Sequence, residues 1–377
     1  MDIYQRSLEI HEKFKGKIEV SVKLPLQTKE DLSLAYSPGV AEVSREIARD
    51  PASVGKYTIK NNAVAVVTDG SAILGLGNLG AYAAIPVMEG KAALFKKFAG
   101  IDAFPICLNT QDSEEIIKIV KAITPMFGAI NLEDISAPRC FEIEERLQKE
   151  ADVPIMHDDQ HGTAVVVLAG LINALKLRES KKEEVKVVVN GAGAAGVAIT
   201  RILLVYGFKN IIMSDTKGAI YEGREGLDGE KAKLAKVTNS QKIKGELAES
   251  IRDADIFIGV SKGGLVSEEM VRSMNAKPII FALANPEPEI RLEAAKNAGA
   301  FIVATGRSDY PNQVNNALAF PGIFRGALDN KIKQFTPYMF LAAAEALASA
   351  VENLSPDKII PSIFDEGIVK TIAKVIK

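Results

Sequence analysis

A chain of 377 residues with 47% apolar content is long enough for two domains with separate cores and too apolar for disorder. Its 46 basic and 48 acidic residues are interspersed and leave a formal charge of −2, which argues against nucleic acid and points to small-molecule partners. The longest apolar run, Ala164 to Ile172, falls far short of the ~18 residues of a membrane span, the charged N-terminus lacks a signal-peptide core, and the two distant cysteines, Cys107 and Cys140, cannot build a thiolate zinc cluster, so a reducing cytoplasm is expected.

The first stretch, MDIYQRSLEIHEKFKGK, is amphipathic, with Ile3, Leu8, Ile10 and Phe14 as its apolar residues. Nine apolar β-type runs then follow: NNAVAVVTD, IDAFPICL, FGAINLED, DVPIMHDD, EVKVVVNG, KNIIMSD, ADIFIGV, KPIIFALAN and GAFIVATG. Each is succeeded by a turn signal and most by helical periodicity, which is the rhythm of parallel α/β sheets. From Thr336 onward the pattern is helical only.

After the first run, Gly75–Gly80 spells G-x-G-x-x-G but follows TDGSAI rather than a strand, and the next strand carries Asp102 at its start. It reads as a flexible loop that approaches cofactor or substrate from the side opposite the nucleotide-binding glycines. Further on, Glu133 and Asp134 end one apolar strand, and His157-Asp158-Asp159 end the next. In parallel sheets those C-terminal ends share one edge, where ligands bind. Four converging carboxylates repel one another unless a hard divalent cation neutralises them, and all-oxygen ligation suits Mg²⁺ or Mn²⁺. Either acid pair by itself fits a helix cap equally well. His157 and His161 have the four-residue spacing of paired zinc ligands, but the helix pattern begins only at Gly162-Thr163, so that geometry is not expected.

The charged connector KLRESKKEEVK, 176–186, introduces the second G-x-G-x-x-G. Gly191, Gly193, Ala194, Ala195 and Gly196 directly follow the strand VKVVVN and open a helix; the next strand ends in Asp215, about 20 residues on, where a Rossmann unit places its ribose-binding acid. The glycines admit the pyrophosphate and the helix N-terminus supplies N–H donors. Asp215 favours NAD, while Lys217 and Arg224 are cations able to reach the extra phosphate of NADP, so a preference for NAD rather than exclusion of NADP is expected.

AYSPGVAEV, VVTDGSAILGLGNLG, PVMEGKAALFKKFAGIDAFPI, INLEDISAP, HDDQHGTA, NGAGAAG, ALANPEPE and SDYPNQVNNALAFPGIF resemble, in order, the motifs of malic enzymes of the short microbial type, from Tyr36 to about Arg325. The resemblance implies oxidative decarboxylation of (S)-malate to pyruvate and CO₂ with NAD(P)⁺ and Mg²⁺ or Mn²⁺. It carries the metal ligands onto Glu133, Asp134 and Asp159, the general base onto Lys91 and the proton donor onto Tyr36. Asp158 is expected to orient Lys91. Asn285 is expected to contact substrate or nicotinamide, and Asn315 and Asn316 the substrate, since asparagine bonds a carboxylate without adding charge. Taken alone, Lys91 reads as a solvated helix lysine, Tyr36 as a half-buried aromatic and Asn285-Pro286 as a turn opener. Larger members of the family carry a substrate-clamping arginine where this chain has Ser71-Ala72, and the acyltransferase-like extension of some bacterial relatives has no counterpart in these residues.

The implied architecture is α/β with two domains. Residues 1–158 form an N-terminal α/β catalytic domain, completed by C-terminal helices in 316–377, and 159–315 form a Rossmann-type NAD(P)-binding domain. The family's dimeric habit and the amphipathic N-terminus together suggest a homodimer.

Overall fold

The structure, a computed structural model, describes residues 3–227 and 229–377. It opens with four short helices, α1 (Ile3–Phe14), α2 (Lys29–Ala35), α3 (Val40–Arg49) and α4 (Val54–Tyr57), none of which has a buried residue. This arm touches the body at few points; Lys17 donates through its backbone N–H to Glu89 (3.1 Å) and through Nζ to the Pro86 carbonyl (2.7 Å).

A four-stranded parallel sheet comes next, built from β1 (Ala63–Thr68), β2 (Asp102–Cys107), β3 (Ala129–Leu132) and β4 (Ile155–His157) in the order β2-β1-β3-β4. Every residue of β1, β3 and β4 is buried. Strands covered on both faces must read as unbroken apolar runs, which is why AVAVVT and AINL were legible as strands. The crossovers are α5 (Ala81–Ala99), α6 (Ser113–Ile123) and α7 (Arg139–Glu150). In α6 the Asp112 side chain caps the Glu115 N–H, and Ile116, Ile117 and Val120 supply the stripe that packs on the sheet.

From β4 the chain runs straight into α8 (Asp158–Arg178), which begins at Asp158 rather than at Gly162-Thr163. His157 does lie at the strand end. By length and composition α8 could cross a membrane, but 72% of its most apolar window is buried inside the protein, where it packs on α9 (Ala194–Tyr206). It is therefore the core helix joining the two sheets.

The second sheet follows the Rossmann order. Its strands are β5 (Lys186–Asn190), β6 (Asn210–Asp215), β7 (Gly218–Ala219), β8 (Ile256–Gly259), β9 (Ile279–Ala282) and β10 (Ile302–Thr305), ordered β10-β9-β8-β5-β6-β7. All pairs are parallel except β6–β7. A two-residue turn separates β6 from β7, too short for the crossover that a parallel neighbour needs, so the edge strand runs antiparallel. Short helices α10 (Gly229–Ala235), α11 (Leu247–Ile251), α12 (Glu268–Arg272) and α13 (Leu292–Asn297) lie along this half.

Finally α14 (Phe320–Asp329), α15 (Pro337–Ser349) and α16 (Ile368–Ala373) fold back over the first half. Phe320 and Phe324 of α14 meet Phe95 of α5 edge-on at 4.6 and 5.3 Å, and α15 packs on α8. Gly322 and Gly326 let α14 close on α16: a Cβ at either would stand 2.6 Å from Ile372 or from the Ala373 carbonyl.

Candidate active site

The order β2-β1-β3-β4 reverses direction between β1 and β3, and the C-terminal ends of β3 and β4 form one lip of that switch point. Glu133 and Asp134 follow β3 directly; Asp158 and Asp159 open α8 just past β4. One carboxylate oxygen each from Glu133, Asp134 and Asp159 lie within 4.8 Å of one another. Asp134 sits at φ +52°, a left-handed conformation that aspartate tolerates, and its N–H donates to Asp159 Oδ2 at 2.8 Å. The turn thus folds the two strand ends together.

Lys91 reaches into this cluster from α5 with 7% of its surface exposed. Its Nζ lies 2.7 Å from Asp158 Oδ2, 2.9 Å from Glu133 Oε1 and 4.3 Å above the Phe320 ring. Asp158 is fully buried, and a Cβ at residue 162 would stand 1.8 Å from its Oδ1, so Gly162 is what makes room for it. Asp134 Oδ2 and Asp158 Oδ1 are buried without a hydrogen-bond partner. Unpartnered buried oxygens in an acid cluster are what a cation or a donor-bearing ligand would satisfy.

Burial raises the pKa of every acid here. It pushes Asp158 up to about 7, helped by the Glu133 charge, and lifts Glu133, Asp134 and Asp159, each further repelled by a neighbouring carboxylate. Lys91 departs from what its sequence context suggests. Burial would lower its pKa, but the carboxylates of Asp158 and Glu133 overcome that and hold the ammonium well above its ordinary value.

The glycine loop is shaped for a dinucleotide. Gly191 sits at φ +119°, and a Cβ there would stand 2.7 Å from the Val260 carbonyl, whereas a Cβ at Gly193 would meet open space above the N-terminus of α9. Ala194 and Ala195 form the first turn of that helix, and Gly196 packs against the Gly191 carbonyl. Asp215 ends β6, but it does not stand free: Arg224 donates to both its oxygens at 2.6 and 2.9 Å, and Lys231 Nζ lies 3.1 Å away. Burial would raise its pKa, yet these cations hold it far below the usual carboxylate range. Lys217 contributes only its backbone N–H to Asp215, so the second cation at this acid is Lys231.

Two family models match almost the whole sequence: the malic enzyme N-terminal domain over residues 15–148, and the malic enzyme NAD binding domain over residues 160–376. The chain belongs to the malic enzyme family. Among its relatives is a bifunctional malic/malolactic enzyme of Bacillus subtilis, 55% identical over 100% of this chain and 92% of that protein. An NAD-dependent malic enzyme of Geobacillus stearothermophilus is 56% identical over 96% of this chain and 76% of its own length. The crystal structure of the NAD-dependent malic enzyme of Thermotoga maritima superimposes with a TM-score of 0.95 at 52% identity, covering 100% of this chain and 99% of that one.

Not every residue expected from the family motifs meets the cluster within one chain. Tyr36 ends α2 on the arm and is 69% exposed. Asn285 is half-buried in the loop after β9, where the Gly75 loop packs on it so closely that a Cβ at residue 75 would stand 1.8 Å from the Asn285 carbonyl. The G-x-G-x-x-G at 75–80 is thus a bridge between the two halves. Asn315 uses its Oδ1 to cap the turn at Ala317, while the Cβ of Asn316 borders Gly162 on the first turns of α8. In place of an arginine at residues 71–72, Ser71 Oγ accepts from Ser136 N–H and from Arg139, whose guanidinium also lies 2.9 Å from the buried Asp69 carboxylate. That network joins the loop after β1 to the loop after β3. Lys231 and Arg139 were not singled out by the sequence.

Proposed function

We propose that this malic enzyme oxidatively decarboxylates (S)-malate to pyruvate and CO₂, reducing NAD(P)⁺, with a divalent cation held by Glu133, Asp134 and Asp159. The observation that carries the reading is a buried lysine clamped between two carboxylates at the edge of a three-acid cluster, in a chain that also carries a dinucleotide loop. The cluster fits Mg²⁺ or Mn²⁺: its donors are all carboxylate oxygens, they converge within 4.8 Å, and Asp134 Oδ2 is unpartnered. When bound, the cation supplies positive charge opposite the substrate's hydroxyl and carboxylate oxygens, and opposite the negative charge that develops as CO₂ leaves.

The chain's own residues then handle protons and position. Lys91 accepts the C2 hydroxyl proton while hydride leaves C2 for the nicotinamide. For that it must first release its own ammonium proton to solvent, which becomes possible when the charge of one of the two carboxylates that hold it is offset; Glu133, as a member of the cluster, is that one. Asp158 keeps the lysine in place and stabilises the ammonium that forms. The C3–C4 bond breaks with release of CO₂, its electron pair passes to C3, and Tyr36 delivers the proton that C3 needs. Asn285, Asn315 and Asn316 hold substrate and nicotinamide without adding charge.

On this reading residues 1–158 and 316–377 hold malate, and 159–315 hold the dinucleotide. NAD is preferred, because Asp215 accepts from the ribose hydroxyls and repels a 2′-phosphate; NADP is still accepted, because Arg224 and Lys231 offset part of that charge. The working unit is a homodimer. Ile3, Leu8, Phe14, Leu24, Leu34 and Tyr36 are each at least 60% exposed on an arm without a buried residue, an apolar surface that a second copy would cover. The arm would then bring Tyr36 to the partner's cluster. Two free cysteines suit a reducing cytoplasm.

The test is NAD(P)H absorbance with Mn²⁺ and malate, tartrate or isocitrate. Malate should give by far the highest kcat/KM; a higher value for either alternative would overturn the substrate assignment.

A further inference from the structure

Glu144 on α7 is a buried carboxylate, 5% exposed, that the reaction itself does not use. Its Oε1 accepts the His157 backbone N–H at 2.8 Å, and its Oε2 accepts from Gln160 Nε2 at 2.9 Å. His161 Nε2 lies 3.0 Å from Oε1 and 3.1 Å from Oε2, and the His161 ring stacks on Phe340 of α15 at 4.5 Å. All these partners fall within residues 157–161, with Asp158 and Asp159 between them. His157, at the N-cap of α8, makes no side-chain capping bond. Instead a carboxylate from another helix accepts the backbone N–H of the N-cap residue and the Gln160 side chain in the first turn, and negative charge is favourable at a helix N-terminus.

We propose that Glu144 is a positioning residue: it fixes the first turn of α8, and so aims Asp159 into the cation site and Asp158 at Lys91. The proposal rests on the reading that Glu133, Asp134 and Asp159 hold a divalent cation. Small displacements suffice to matter, because Mg²⁺ demands ligands at about 2.0–2.1 Å in near-ideal geometry. A glutamine at 144 keeps the volume but offers one acceptor instead of two, and turns an NH₂ toward groups that are themselves donors. Burial would raise the Glu144 pKa, but the adjacent His161 and the donated hydrogen bonds keep it below its ordinary value, so the carboxylate is the form to be replaced.

The experiment measures Mn²⁺ affinity by electron paramagnetic resonance on the full chain, without malate or nucleotide, for the parent, Glu144→Gln, His161→Phe and His161→Gln. NAD⁺ affinity is measured alongside by calorimetry. Supporting groups around metal ligands typically account for 10–100-fold in affinity, so Glu144→Gln should weaken Mn²⁺ about tenfold or more while NAD⁺ affinity stays within about twofold. Equal Mn²⁺ affinity in parent and Glu144→Gln would overturn the proposal, as would parallel losses of both affinities, which would mark general loss of structure. If Glu144→Gln does not fold, the histidine pair decides. His161→Phe keeps the stack on Phe340 but loses the donor, and should bind Mn²⁺ more weakly than His161→Gln, which keeps a donor; equality between them would overturn the proposal. Failure of the parent itself to bind Mn²⁺ would remove the cation reading, and this inference with it.

Discussion

Lys91→Met isolates the charge at the centre of the site. Methionine keeps the apolar stem against Phe320 and removes only the ammonium that lies 2.7 Å from Asp158 and 2.9 Å from Glu133. At an effective dielectric of about 20, each contact carries a gross attraction of about 6 kcal/mol; after desolvation, breaking such a buried pair costs about 3–5 kcal/mol. The acids can respond by taking up protons, so the loss depends on pH. A carboxylate whose folded pKa is raised contributes its stability below the unfolded pKa and loses it as pH climbs through the folded value, about 7 for Asp158. Lys91 lowers the pKa of all four acids, so its removal lifts them further and steepens that dependence. The assay is urea denaturation in EDTA: Lys91→Met should lose about 3 kcal/mol near pH 8, and under about 1 kcal/mol near pH 5.5, where the acids are largely neutral. Excess Mn²⁺ should recover part of the loss at high pH by linkage. The same variant should lose about 10²–10⁴-fold in kcat. A pH-independent stability difference, or less than about a tenfold fall in kcat, would refute the placement of Lys91 as both counter-ion and base.

Asp159→Ala should abolish measurable Mn²⁺ binding while leaving NAD⁺ affinity intact; unchanged Mn²⁺ affinity would sink its role as a ligand. In the parent, Mn²⁺ affinity should rise as pH climbs from about 6 to 9, because binding displaces protons from acids whose pKa values are raised, and a flat profile would contradict that. Asp215→Ser should move the kcat/KM ratio toward NADP, since it leaves Arg224 and Lys231 unneutralised; an unmoved ratio would mean that Asp215 does not contact the ribose. Tyr36→Phe and Lys91→Met should each be nearly inactive alone, yet their mixed dimers should recover up to about a quarter of parental activity if each site draws Tyr36 from the partner; no recovery would place Tyr36 in its own chain's site.

The strands were legible because parallel sheets covered on both faces leave uninterrupted β-branched runs, and all nine runs became strands; only the two-residue β7, too short to carry a pattern, went unread. The helical start at Asp158 was not legible, because HDD reads as a polar loop and the group that ties His157 down, Glu144, comes from another helix. Glu144 itself did carry a signal. Cys140, Ile143, Glu144 and Leu147 share one helical face at i, i+3, i+4 and i+7, so the acid occupies a core position, unlike its exposed neighbours Glu142 and Glu145. Lys231 lies sixteen residues beyond Asp215 and meets it only through the fold of the β7–α10 segment, which no local pattern encodes. The Lys91–Asp158 contact spans 67 residues and was reached through the resemblance to the family rather than from the chain's own periodicity.

The most direct measurement is the stoichiometry of the reaction in one vessel: NADH, pyruvate and CO₂ formed from malate and NAD⁺ with Mn²⁺, and again after EDTA. Equal amounts of all three products, falling together to background when the cation is removed, are the predicted result. NADH formed without pyruvate and CO₂, or turnover undiminished in EDTA, would contradict a metal-assisted oxidative decarboxylation at the Lys91 site.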